Sequence, residues 1–420
     1  MIYIIPSIIL FILFFRILKI PITSPPSIYS LVWFIFIFFS NLILDQNYTF
    51  TYLGIFWIFS SCFFLTLGYS FKIVTNKGRF SELDKSLTGP NIPWFLLSVF
   101  ILLGFLSFIK SATRYGVSLN VLTDFESLQS ASNNISEQRY SGTAIGIGIL
   151  EQMLNSFVYV LPLCGGYSIS YADTLKKKIL IVFTALPSLL SMLLTSAKLV
   201  IVAYVILFFV SYYVSHLYLY KQFIKINYKK TFQAILLGFS LYQLFYLSFI
   251  LRIGSTSASL GRIIVTKLGI YAFGHVQAFD IWLQTYLSSK PELGLGTNTF
   301  LAFSSILGLQ DKKQGIYAFI SGSSTNVFSQ FRALISDFGI VFSLFIVLLL
   351  GLVLNILNDN LINSSGRVSV FQQVFYISIL FYLLYFIVSP WAYMTFVAAF
   401  IIFYFYLLVA FYVKVKIKLR

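Results

Sequence analysis

Apolar residues dominate eleven stretches of the chain: Ile2–Phe15, Ile28–Leu44, Phe50–Phe71, Trp94–Ile109, Thr143–Tyr171, Ile179–Thr195, Leu199–Tyr220, Thr231–Leu251, Phe338–Leu357, Val370–Ser389 and Tyr393–Val413. A helix needs about 20 apolar residues to cross the hydrocarbon core of a bilayer, with a range of about 17–25. The pattern therefore predicts about eleven transmembrane helices. The first is short and contains Pro6. A transmembrane β-barrel would instead show alternating segments of about ten residues.

Two connections stand out as long and polar, Lys110–Gly142 and Arg252–Asp337. Inside the second, Leu260, Ile264, Leu268, Tyr271, His275, Phe279 and Trp282 recur at three- and four-residue steps. That period predicts a helix over Ser259–Thr285. Arg262, Thr266, Lys267 and Asp280 interrupt its other faces, and charges make a crossing expensive. The expectation is an interfacial amphipathic helix, lying at the membrane surface or folded into the mouth of the bundle.

Composition agrees with the pattern. Of 420 residues, 59% are hydrophobic and 10% charged, against about 25% charged in ordinary globular domains. The chain reads as one all-α polytopic membrane domain over residues 1–420. No basic n-region or small-residue cleavage site marks the start, so the first run is expected to be a retained helix.

The net charge of +16 suggests nucleic acid only until the charges are placed. Eighteen of the 29 Lys and Arg residues fall in alternate loops: Arg16–Lys19, Lys72–Lys85, Lys176–Lys178, Lys221–Lys230, Arg367 and the tail after Val413. Of the other eleven, ten lie in the two long loops, which translocate largely regardless of charge. The remaining one is Lys198, in the short connection Ser196–Lys198. Basic residues favour the cytoplasmic side. The count puts the N-terminus and both long loops in the periplasm and the C-terminus in the cytoplasm.

Cys62 and Cys164 sit in apolar runs and read as small core residues. His216 and His275 lack neighbours at metal-ligand spacing, and no phosphate-cradling glycine loop of Walker type is present. Neither a metal nor a nucleotide cofactor is expected.

The candidate chemistry sits where the polar loops meet the apolar runs. Arg332 and Asp337 precede Phe338–Leu357. Asp337 occupies an N-cap position, which is compatible with a charged role in a site. Arg332 is either a snorkelling side chain or an anion ligand. The Gly-Ser-Ser-Thr-Asn run ending at Asn326 offers N–H groups and hydroxyls suited to an anion, or forms a polar turn. Lys198 stands against the charge trend, as a tolerated charge or a ligand. Arg139, Arg252 and Arg262 are each a surface charge or part of a cationic face for phosphate. Glu151 lies about two turns inside its run. It either pairs with a cation or acts as a base. His275 is either packed in a helix face or a base.

The segment Thr325–Gly339 reads Thr-Asn-Val-Phe-Ser-Gln-Phe-Arg-Ala-Leu-Ile-Ser-Asp-Phe-Gly. It resembles the T-N-x-[FY]-x-x-[FY]-R-x-x-x-x-D-F-G pattern of bacterial Wzy-type O-antigen and polysaccharide repeat-unit polymerases. Gln138–Gly142 and Ser196–Ile201 match more loosely. The resemblance implies a GT-C-like helical fold and glycosyl transfer between undecaprenyl-pyrophosphate-linked oligosaccharides at the periplasmic face of the inner membrane. It also implies a partnership with a chain-length regulator. Arg332, Asp337, Glu151 and His275 are then candidates for the catalytic group. Arg139, Lys198, Arg252, Arg262 and Asn326 are candidates for holding pyrophosphate. Breaking a glycosyl–pyrophosphate bond develops negative charge that fixed cations would stabilise. A flippase for the same lipid-linked oligosaccharide, or an O-antigen ligase, are the alternatives.

Overall fold

The computed structural model describes residues 14–43, 51–71, 90–140, 148–253, 258–289, 291–311, 318–320, 323–325, 329–363 and 368–412. Fourteen α-helices carry the fold among them. The first seven are α1 Pro25–Ile43, α2 Leu53–Ser70, α3 Trp94–Arg114, α4 Phe125–Tyr140, α5 Ile149–Ser168, α6 Leu175–Phe183 and α7 Leu186–Thr195. They are followed by α8 Lys198–Tyr220, α9 Tyr228–Ile253, α10 Ala258–Ser289, α11 Leu301–Ile306, α12 Phe331–Asn363, α13 Val370–Leu384 and α14 Met394–Tyr412. One antiparallel pair, β1 Ala318–Ile320 and β2 Ser323–Thr325, is the sole sheet among the described residues.

Among the described residues, eight helical segments are long and apolar enough to cross a membrane, as a polytopic membrane protein requires. The expected run Ile179–Thr195 is broken into α6 and α7, with Pro187 in the first turn of α7, where its missing N–H costs nothing. The run Val370–Ser389 supplies only the 15 residues of α13, opened by a capping box between Ser369 and Gln372. Most of Ile2–Phe15 lies outside the described residues.

Helix directions follow from who touches whom. Trp57 Nε1 donates to the Ile340 carbonyl (3.3 Å) and Asn355 Nδ2 to the Phe71 carbonyl (2.7 Å), so α2 and α12 run parallel. Gly68 lies against the Leu348 carbonyl and Gly351 against the Leu65 carbonyl, with no room for a Cβ at either. Small residues allow this close backbone approach, which hydrocarbon alone does not drive. Ser211 and Ser215 donate to the carbonyls of Leu163 (2.6 Å) and Tyr167 (2.8 Å), which makes α5 and α8 parallel too. Rings of Tyr159 and Phe396 stand 4.6 Å apart and Ser168 bonds Tyr406, adding α14 to that direction. Helix α13 runs the other way: Tyr376 meets Asn358, and Gln330 meets the carbonyls of Leu383 and Phe386. The start of α2, α5, α8, α12 and α14 therefore lie at one end of the bundle, with the ends of α3 and α9.

The first long polar connection is largely helical, because α3 continues to Arg114 and α4 packs on α7 and α9. The second takes the inner of its two expected placements. Helix α10 spans 32 residues and is no surface helix. His275, Val276, Gln277, Phe279, Asp280 and Leu283 are all buried, packed against α1 and α2. Its one buried carboxylate is tolerated inside because it meets partners there. Asp280 accepts from the backbone N–H groups of Thr51 (2.9 Å) and Gly54 (2.7 Å) and from the Thr51 hydroxyl (2.9 Å). It satisfies the orphan donors at the start of α2.

Candidate functional site

Five of the sequence-predicted residues with described side chains lie toward the common end: Glu151, Lys198, Arg252, Arg332 and Asp337. Arg332 is the second residue of α12. Its guanidinium carbon lies 5.5 Å from the centre of the Trp282 ring of α10. Trp282 is flanked by Phe279 (6.1 Å) and Tyr286 (5.0 Å), and the Tyr286 hydroxyl donates to the Ile335 carbonyl (3.1 Å). This aromatic ladder fastens α10 to the first turns of α12. The planar guanidinium suits a ring face in a way that an ammonium does not.

Asp337 is fully buried, but not as the N-cap expected from sequence. Helix α12 already begins at Phe331 and breaks only at Gly339, so Asp337 sits inside its first segment. Its carboxylate turns to a loop from another part of the chain. Oδ1 accepts from the Asn298 backbone N–H (3.0 Å) and Nδ2 (2.8 Å), and Oδ2 from the Thr299 N–H (2.6 Å). The Gly294 and Leu295 N–H groups donate to the carbonyls of Ser336 and Asp337. Ser389 ties down the far side through the Thr299 carbonyl (2.7 Å). The carboxylate is thus the nucleus around which residues 294–299 wrap.

Glu151 is buried and pairs with Arg114 of α3 (3.4 Å). Arg114 also donates to the Tyr115 hydroxyl (3.0 Å). The sequence missed this partner because the apolar run ends at Ile109, one helical turn short of it. Lys198 opens α8, with its ammonium 3.7 Å from the Phe249 ring centre and 5.7 Å from that of Tyr271. The turn before it is held by the Ser196–Ser132 hydroxyl contact (2.6 Å) to α4. Arg252 is half-buried in the last turn of α9.

His275 stands apart from this set. It is wholly buried, with ring centres of Phe36 (4.6 Å), Phe386 (4.7 Å) and Trp33 (5.6 Å) around it. Neither ring nitrogen forms a hydrogen bond. A base must reach the proton that it removes, and this ring faces aromatic carbon. Arg139 ends α4 and Arg262 lies in α10, but their side chains, and all of Asn326, lie outside the described residues. No cluster of three His, Cys, Asp or Glu side chains that could hold a metal occurs among the described residues.

Compared with family models, with curated proteins and with solved structures, the chain matches none.

Proposed function

We propose that the chain is a polymerase of lipid-linked oligosaccharide repeat units. It would transfer a growing glycan from a polyprenyl pyrophosphate to the acceptor hydroxyl of a second lipid-linked unit. The observation that carries the reading is the placement of Arg332. It sits within the Thr325–Gly339 segment that resembles Wzy-type polymerases, braced on Trp282, at the end of the bundle that also holds Lys198 and Arg252. A planar cation fixed at the membrane boundary suits a pyrophosphate leaving group, whose charge grows as the glycosyl bond breaks.

The proposed sidedness follows from the basic loops, with the Arg332 end in the periplasm and the protein in the bacterial inner membrane. The lipopolysaccharide of a strain lacking the protein tests the reading. A polymerase defect leaves a single repeat unit on the core. A ligase defect leaves none there and accumulates lipid-linked polymer. A flippase defect leaves none there and strands single units on the cytoplasmic side.

A further inference from the structure

Helix α9 packs on the rest of the chain through its last turns. Ser248, Phe249 and Leu251 are buried, where the helix meets α4, α7 and α10. Residues 231–240 are exposed on every face, and α9 is the least buried of the eight membrane-length segments among the described residues. Its apolar side chains need no protein partner, because lipid tails are as apolar as they are. A polar side chain in the same place does need one. Thr231 and Ser240 bond back to the carbonyls of Asn227 (3.2 Å) and Leu236 (2.9 Å). Gln233 stands three residues after Lys230, near enough to the helix start to reach the membrane surface. Gln243 has neither remedy. It lies thirteen residues after Lys230 and nine before Arg252, about 20 Å and 14 Å from the two charged ends. Its side chain is exposed and bonds to no described residue, and an unpaired amide in hydrocarbon is costly.

Gln243 belongs to a pattern. Gln233, Leu236, Ser240, Gln243 and Leu247 follow steps of three and four, on a side of the helix turned away from Ser248 and Phe249. This is the a/d spacing of a seam between two helices. Copies of one membrane protein share an orientation in the bilayer, so α9 from two copies runs parallel about a two-fold axis. A parallel seam sets each a and d position against its own counterpart. Gln243 then faces the partner's Gln243, and an amide is its own complement, with N–H groups to donate and an oxygen to accept. At Ser240 a small side chain on both helices permits close approach.

We propose that α9 is a contact between two copies of this chain, centred on the amide pair at Gln243. A second copy is the occupant because the same helix carries the group that Gln243 needs, at the depth where it needs it. The contact is independent of the reaction assigned above.

The test uses the full chain in native membranes, carrying Cys62→Ala and Cys164→Ala and one new cysteine at a time. A thiol oxidant should link copies through Leu236→Cys and Ser240→Cys, on the seam, and not through Ile235→Cys or Tyr242→Cys, on other faces. The product should have twice the mass of one chain and contain both of two differently tagged copies. Diluted in detergent, the Gln243→Leu chain should dimerise about three- to thirtyfold more weakly than the parent, and Gln243→Asn should restore most of the difference. Linking at all four positions alike, or at none, would overturn the proposal. A linked product of another mass would make a foreign helix the occupant and overturn it too. A dimer that Gln243→Leu leaves unchanged would show that the amide does not hold the two copies together.

Discussion

Asp337 reaches across 38 residues of sequence to Thr299, whose backbone N–H donates to Oδ2 at 2.6 Å. Its other oxygen takes both the N–H and the side-chain amide of Asn298. The consequence is that the acid assigned by resemblance to the reaction has its carboxylate engaged by the protein itself. Asp337→Asn would turn an NH2 group toward an N–H donor. The loss of a buried hydrogen bond to a charged group is expected to cost about 1–3 kcal/mol. Asp337→Glu should fare no better, because Gly294 packs directly against Oδ1. Thermal unfolding in detergent checks this. A variant with an unchanged midpoint but no polymer would return Asp337 to the reaction.

Arg332 presents the opposite case, a cation braced by a ring. Arg332→Lys keeps the charge but loses the planar guanidinium beside the Trp282 ring. We expect Arg332→Ala to abolish long glycan chains and Arg332→Lys to shorten them, both at normal membrane abundance. Full ladders from Arg332→Ala would take this residue out of the site.

The Glu151–Arg114 pair separates structure from catalysis. Removing one member of a buried ion pair costs about 3–5 kcal/mol, whereas replacing both by apolar residues can be neutral. Arg114→Ala and Glu151→Ala should therefore each lower abundance, and Arg114→Met with Glu151→Leu should recover it. If the recovered double variant polymerises normally, Glu151 is structural. Recovery of the protein without polymer would identify it as the base.

Much of the architecture was legible as apolar runs, because lipid demands them. Buried polar contacts were less so. The stripe from Leu260 to Trp282 announced α10, but period alone does not say whether a helix lies on a membrane or within a bundle. Asp280 looked like a penalty against insertion until the start of α2 was found to supply its donors. Asp337 was legible as an acid where a helix begins. Its partners at Asn298 and Thr299 were not, since nothing local links the two segments. Trp282 appeared only as one more apolar position in a stripe.

His275 should prove dispensable to the chemistry. Its nitrogens are buried without partners among Trp33, Phe36 and Phe386, which is a cost rather than a contribution. His275→Phe is expected to keep full ladders with an equal or higher unfolding midpoint. Loss of long chains at unchanged abundance would show that the imidazole has work to do.

Sidedness can be read with single cysteines in a chain lacking Cys62 and Cys164, placed at the exposed positions Ser118, Ser289 and Lys176. An impermeant thiol reagent added to cells with a permeabilised outer membrane should label the first two alone. Labelling at position 176 alone would invert the proposed orientation and place the Arg332 end in the cytoplasm.

Gly339 sets the direction of everything before it on α12. Its φ of 75° and ψ of 172° belong to a region that essentially only glycine occupies. The break lets the segment Phe331–Phe338 tilt away from the long membrane helix that follows. The Ser343 hydroxyl lies within hydrogen-bond distance of the carbonyls of Leu334 (3.0 Å) and Gly339 (2.6 Å), one on each side of the break. Alanine at 339 would carry strain of about 1–3 kcal/mol and favour a continuous helix. That change would draw Asp337 away from Asn298 and Thr299. Gly339→Ala should therefore lower the unfolding midpoint, as is expected of Asp337→Asn, and shorten the glycan. The two should also fail to add, because they disrupt one unit. Additive losses in the double variant, or full activity in Gly339→Ala, would show that the break and the carboxylate-centred loop are independent.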